Sequence, residues 1–112
     1  MRTVIVSGDP LTVEDVVDVA LGRASAKLGP DVPARMRASL EVVRSAIHGT
    51  DPVYGVNTGF GALADTRVDE QDLATLQRAI VMSHAAATGE PLNDETVRAM
   101  LLLRARTLAA GY

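Results

Sequence analysis

The chain has 112 residues, a net charge of −3, 47% hydrophobic and 22% charged residues, and no cysteine. That composition is globular. It lacks the basic stripe of a nucleic-acid binder, and the missing thiols exclude disulfides and thiolate metal sites. Aromatic residues make up only 3%, so a core must be built from Val, Leu, Ile, Ala and Met. No apolar run approaches the roughly 20 residues that span a bilayer. The start, MRTVIVSGDP, has too short an apolar stretch for a signal peptide. The expectation is a soluble cytoplasmic protein with no nucleic-acid, membrane or metal partner.

Residues 3–6 are a β-branched run closed by Ser7-Gly8-Asp9-Pro10, which predicts a strand and a turn. Thr12 lies three residues before Asp15, as in a capping box, and Leu11 and Val16 are spaced for a hydrophobic staple. Val13, Val16, Val17, Ala20 and Leu21 then share one helical face, and Gly22 is a stop. Residues 25–28 predict a second short strand. Met36, Leu40, Val43 and Ile47 carry a second amphipathic helix to about His48, before Gly49 and Asp51-Pro52. A third helix begins near Asp69, with Leu73, Leu76, Ile80 and His84 on one face, and Gly89-Glu90-Pro91 closes that segment. A fourth starts at Asn93, with Val97, Met100, Leu101 and Leu108 as its stripe. Its consecutive Leu101, Leu102 and Leu103 make it apolar on several sides and in want of partners. The fold class is therefore mainly α: about four helices with one or two short N-terminal strands. No repeat or internal boundary divides residues 1–112.

Residues 53–64 have neither helical nor strand period. Glycines at 55, 59 and 61 let a backbone turn tightly and approach a ligand. Asn57 and Thr58 supply short polar groups for such turns. The stretch contains no GxGxxG and no Gly-Lys-Ser/Thr, so it is not a phosphate loop. On residue types alone it reads first as a structural Gly-rich turn with Tyr54 packed beneath it.

Tyr54-Gly55-Val56-Asn57-Thr58-Gly59-Phe60-Gly61, followed by Leu63-Ala64, strongly resembles the aromatic amino acid ammonia-lyase family, which includes histidine, phenylalanine and tyrosine enzymes. Leu76-Gln77-Arg78, Ser83-His84-Ala85-Ala86, Gly89-Glu90-Pro91-Leu92, Val97-Arg98-Ala99-Met100 and Arg104-Ala105 continue the resemblance in register, so it spans essentially the whole chain.

The resemblance implies elimination of ammonia from an α-amino acid, with 4-methylideneimidazol-5-one as an electrophilic prosthetic group made from an internal Ala-Ser-Gly. No Ala-Ser-Gly occurs in this sequence; Arg23-Ala24-Ser25-Ala26 comes nearest but lacks the glycine. The chain therefore resembles roughly the first fifth of such an enzyme, with no cofactor of its own and no catalysis alone. Tyr54 matches the family's loop base, and the neighbouring glycines would let the loop close over substrate. Gly61 matches a substrate-approaching position. Ser83 and His84 match the pair that contacts the substrate side chain, and Ser-His resembles the histidine enzymes, which give urocanate. An imidazole substrate can exchange a hydrogen bond with His84, whereas a phenyl ring cannot. Without the resemblance, His84 reads as a core histidine among Leu73, Leu76 and Ile80. His48, near a helix C-terminus, carries no assigned function.

Ala79 replaces a usually small polar residue, and Ala87-Thr88 replaces Gly-Val; both departures lie near His84 and bear on the substrate. The alternatives are a phenylalanine or tyrosine ammonia-lyase or aminomutase, and a non-catalytic helical oligomerisation module. The family is homotetrameric, so the implied partners are a small amino-acid substrate and further copies of the chain.

Overall fold

The computed structural model describes residues 1–112 as four helices and one two-stranded parallel sheet, the mainly α architecture predicted. The chain packs as two compact units, one of residues 1–40 with 90–112, the other of residues 41–89.

In the first unit, β1 (Arg2–Val6) and β2 (Ala24–Leu28) pair in parallel, with Arg2 opposite Ala24 and Val6 opposite Leu28. Parallel neighbours need a crossover connection, and α1 (Val13–Ala20) supplies it. Thr12 and Asp15 form the capping box: Thr12 Oγ1 accepts the Asp15 N–H at 3.1 Å, and Asp15 Oδ2 accepts the Thr12 N–H at 3.0 Å. Arg2 reaches the same helix from the strand, donating to Asp15 Oδ1 and Asp18 Oδ2 at 2.7 Å each. These bonds to the ionised form hold the Asp15 carboxyl down from 3.8 to about 2, the Thr12 hydroxyl being the largest cause and Arg2 the next.

Two further helices complete this unit. The N-terminal half of α2 (Val32–His48) contributes Val32, and α4 (Asp94–Ala109) contributes Leu102 and Ala109. With Val6 these form the core, against which Leu11, Val16 and Val19 pack. Both residues of the predicted staple thus meet one core. Val19, outside the predicted α1 stripe, also faces it, while Val13, Val17 and Leu21 stay exposed. Asn93 caps α4, its Oδ1 accepting the Thr96 N–H at 2.8 Å. Arg98 donates to Ala20 O at 3.0 Å, placing a cation where α1 leaves a carbonyl unpaired. Gly8, at φ 91°, touches the end of α4 so closely that a Cβ would lie 2.5 Å from Ala110 Cα.

Two apolar faces remain open. Leu102 of α4 is buried, but Leu101 is 65% exposed, and Val97, Met100, Leu103 and Leu108 are exposed with it. On α2 the predicted stripe of Met36, Leu40 and Val43 is exposed too. No helix is long and apolar enough to cross a membrane.

The second unit holds the C-terminal half of α2, the loop that follows, a 3-10 turn over Gly61–Leu63, and α3 (Glu70–His84). Asp69 is the N-cap of α3, through its backbone carbonyl rather than its side chain: Asp72 N–H bonds Asp69 O at 2.9 Å. The helix ends at His84, five residues before the Gly89 at which the sequence pattern closes. Ala85 is the C-cap and leaves helical geometry at φ −79°, ψ 58°, its N–H still bonded to Val81 O, although alanine is a strong helix former.

The capping box sets a pH dependence. Because the folded Asp15 carboxyl is depressed, its contribution is present above its ordinary value of 3.8 and lost as pH falls through about 2. In urea melts, Thr12→Ala should cost about 1 kcal/mol near neutrality. The stability gap between wild type and Asp15→Asn should shrink as pH falls to about 2; a gap that stays constant over that window contradicts the assignment.

Candidate functional site

The loop after α2 is built on two buried polar side chains. Asn57 is 1% exposed and Thr58 is fully buried. The Asn57 carboxamide makes three hydrogen bonds: Oδ1 accepts the Val53 N–H at 2.7 Å, and Nδ2 donates to Ala46 O and Asp51 O at 3.0 Å each. Ala46 lies in the last turn of α2, where its carbonyl also accepts the Gly49 N–H at 3.3 Å, so the amide adds a second hydrogen bond to that helix end. Thr58 Oγ1 accepts the Gly55 N–H at 3.3 Å and donates to Gly59 O at 2.9 Å. An antiparallel bridge of Thr58 with Arg67 and a Val68 N–H bond to Asn57 O close the far side. Gly59 is needed for space: a Cβ there would lie 2.7 Å from Leu63 Cβ.

This foot leaves the other half of the loop outward. Tyr54 is 63% exposed, so it is not packed beneath a structural turn. Its ring meets Phe60 edge-on, with centroids 5.4 Å apart and planes at 70°. Gly61 has φ 56° and open space where a Cβ would stand, so its backbone is accessible to a ligand.

α3 joins this loop through Gln77, whose Nε2 donates to Gly55 O at 3.3 Å. Ser83 and His84 come six and seven residues later, about 10 Å further along the helix. Both are exposed, so His84 is not a core histidine, although Leu73, on the face predicted to be shared with it, is buried. No hydrogen bond links either residue to Tyr54.

The Ser83-His84 pair has a defined polarity. Ser83 Oγ donates to Ile80 O at 2.9 Å, and His84 Nδ1 lies 2.9 Å from the same carbonyl and 3.1 Å from Ser83 Oγ. A carbonyl oxygen only accepts, so Nδ1 carries the proton. In the neutral ring Nε2 is then an acceptor. The exposed edge of His84 presents a lone pair, suited to a ligand that brings an N–H or O–H.

Charged groups elsewhere in this unit serve α2. His48 Nδ1 lies 3.3 Å from Glu70 Oε2, and an Arg67 guanidinium nitrogen donates to Ile47 O at 3.4 Å. No group of three or more His, Cys, Asp or Glu residues is placed to hold a metal. Gln77 and the Ile80 carbonyl have no signal in the sequence that marks them as site-forming. Their partners are set by helix phase and by a contact 22 residues distant.

A family model for aromatic amino acid lyases matches residues 11–112. The chain is similar to the histidine ammonia-lyase of Myxococcus xanthus, 45% identical over 109 residues, which are 97% of this chain and 22% of that protein. It is also similar to the histidine ammonia-lyase of Caldanaerobacter subterraneus, 40% identical over all 112 residues and 22% of that protein. Among solved structures, an ergothionase from Treponema denticola, an ergothioneine-degrading enzyme, superposes with a TM-score of 0.90 at 35% identity, covering 98% of this chain and 22% of that one. A tyrosine aminomutase from Streptomyces globisporus gives a TM-score of 0.89 at 35% identity, covering 97% and 21%. The chain thus spans about a fifth of the length of the curated relatives it matches.

The polarity of His84 can be read directly. Nitrogen-15 NMR of the neutral ring should show a protonated Nδ1 and an unprotonated Nε2. Ser83→Ala should leave that tautomer in place, because Ile80 O remains; a majority of the Nε2–H form in wild type contradicts the geometry.

Proposed function

The chain belongs to the aromatic amino acid lyase family, and from that premise we propose that it forms part of an ammonia-lyase converting L-histidine to urocanate, with Tyr54 as the base and Ser83 and His84 in the side-chain pocket. The observation that carries the substrate reading is the Ile80 carbonyl against His84 Nδ1. It leaves Nε2 to accept the N–H of a substrate imidazole, a bond that a phenyl ring has no donor to make. Histidine ammonia-lyases among the relatives, at 38% to 45% identity, support the same substrate.

The reaction removes a proton from the β-carbon. The electrons of that C–H bond form the Cα–Cβ double bond, and ammonia leaves with the C–N pair. The β-proton is weakly acidic, so a positioned base is required. Tyr54 suits that role: its side chain is exposed at the outer edge of a loop whose other half is fixed by buried hydrogen bonds. Gly61 contributes backbone that substrate can approach.

The 4-methylideneimidazol-5-one of the family is made from Ala-Ser-Gly, a triplet that does not occur in these residues. Ala24-Ser25-Ala26 lies in β2 in parallel register with β1, and Ser25 Oγ is 3.1 Å from Thr3 Oγ1. That stretch does not fit the group, and the roles proposed for this chain are those of base and side-chain pocket. The exposed apolar side of α4 supports association with further copies, as in a homotetramer.

A second reading has one supporting observation. Tyrosine aminomutases superpose on this chain at 34% to 36% identity, and an acceptor at His84 also suits a phenol O–H. Substrate tests separate the two.

In the lyase that carries this segment, Tyr54→Phe should lower turnover of L-histidine by several orders of magnitude; near-normal urocanate formation rules out the role. His84→Leu should cost roughly 10²-fold in kcat/KM for L-histidine, the worth of one lost hydrogen bond in a closed site, and much less for L-phenylalanine. Equal losses on both substrates overturn the pocket assignment. The 112-residue chain by itself should form no urocanate.

A further inference from the structure

We infer that Asn57 is the positioning residue of the Tyr54 loop, a buried strut whose carboxamide sets where the phenol stands. This rests on the reading of Tyr54 as the base, and adds the residue through which the fold holds that base in place.

Three features carry the inference. From the residue three places after Tyr54, the Asn57 side chain reaches back to three backbone points before it: the α2 end through Ala46 O, the start of the loop through Asp51 O, and the residue just before Tyr54 through the Val53 N–H. Val53 and Tyr54 are themselves exposed. Val53 O accepts the Val56 and Asn57 N–H at 3.0 and 3.2 Å, which closes the turn upon itself, while the strut ties that turn to Ala46 and Asp51 and so to the end of α2. Its donor and acceptor ends are both needed, since the Nδ2 side faces two carbonyls and the Oδ1 side faces an N–H. Only a carboxamide offers two donors on one atom and an acceptor on the other at this length. Glutamine would be one methylene too long for a side chain already 1% exposed.

In the lyase that carries this segment, the anisotropy of a fluorescent tyrosine analogue incorporated at position 54 reports how firmly the loop is held. Asn57→Asp keeps the shape but turns a carboxylate toward Ala46 O and Asp51 O. The anisotropy at position 54 should fall at neutral pH. It should recover in part below about pH 5, where the carboxylic acid regains one donor. Wild type at the same two pH values controls for titration of Asp51, His48 and Glu70, and for any change at Arg67. Anisotropy in Asn57→Asp equal to wild type at both pH values overturns the proposal. So does loss of the helical circular-dichroism signal, which would make Asn57 a residue of the fold at large.

A second measurement needs no variant. The Val53 amide, although on an exposed residue, should exchange with deuterium many-fold more slowly than an unstructured amide, because Asn57 Oδ1 accepts it. Exchange at the unstructured rate overturns the proposal. Neither measurement uses turnover, so both stand apart from the fate of Tyr54→Phe in the activity assay.

Discussion

A carboxamide buried to 1% exposure must be fully paired, because each unmade hydrogen bond on a buried polar group costs about 1–3 kcal/mol. The unit of residues 41–89 is organised around that demand. Leu73 is its single buried hydrophobic residue, while Asn57 and Thr58 are buried and bonded on every side that the loop offers. Apolar burial is indifferent to direction, but hydrogen bonds are not. A region held by Asn57 and Thr58 has one loop geometry, and shifting it means breaking several bonds together. That is a suitable base for a residue such as Tyr54, whose proposed work needs its oxygen at one place. Gln77 adds a bond from α3 to Gly55, so the segment bearing Tyr54 is tied at both its buried and its helical side.

The unit of residues 1–40 and 90–112 is held differently. Val6, Val32, Leu102 and Ala109 form an apolar cluster, and Arg2 clamps β1 to α1 through Asp15 and Asp18. Arg98 and Arg106 donate to the backbone oxygens of Ala20 and Asp9, closing turns that the strands and α1 leave open. Surface ion pairs of this kind contribute little singly. Their value here is register: Arg2 reaches two carboxylates one helical turn apart, so sliding α1 along β1 loses both contacts.

Much of this was legible in the residues. The Thr12–Asp15 box, the Asn93 cap and the two strands follow from local chemistry and stand where the pattern puts them. The amphipathic periods located α2 and α4, and the consecutive leucines of α4 marked it as wanting partners; a period reports which face is apolar and not whether anything covers it. Met36 and Leu40 of α2 and Leu101 and Leu103 of α4 are all exposed. The shared face of α3 ends at His84 in both the pattern and the structure, while the breaker Gly89-Glu90-Pro91 lies five residues further on and closes the segment rather than the helix. For the site, Tyr54, Gly61, Ser83 and His84 stood out through a family resemblance. The Asn57 strut was visible only as a turn-forming residue type, since its partners Ala46 and Asp51 are chosen by the path of the chain.

The two units also differ in how the sequence is threaded through them. Residues 41–89 are one uninterrupted stretch, whereas the other unit is stitched from both ends of the chain, with Gly8 against Ala110 and Gly111 against Arg35. Joining distant ends carries a loop-closure entropy that a contiguous stretch avoids, and contacts between near neighbours form faster. The Tyr54 loop draws all of its buried hydrogen bonds from within eleven residues of Asn57. Its order of assembly is therefore set locally, and the loop does not have to wait for the two ends of the chain to find each other.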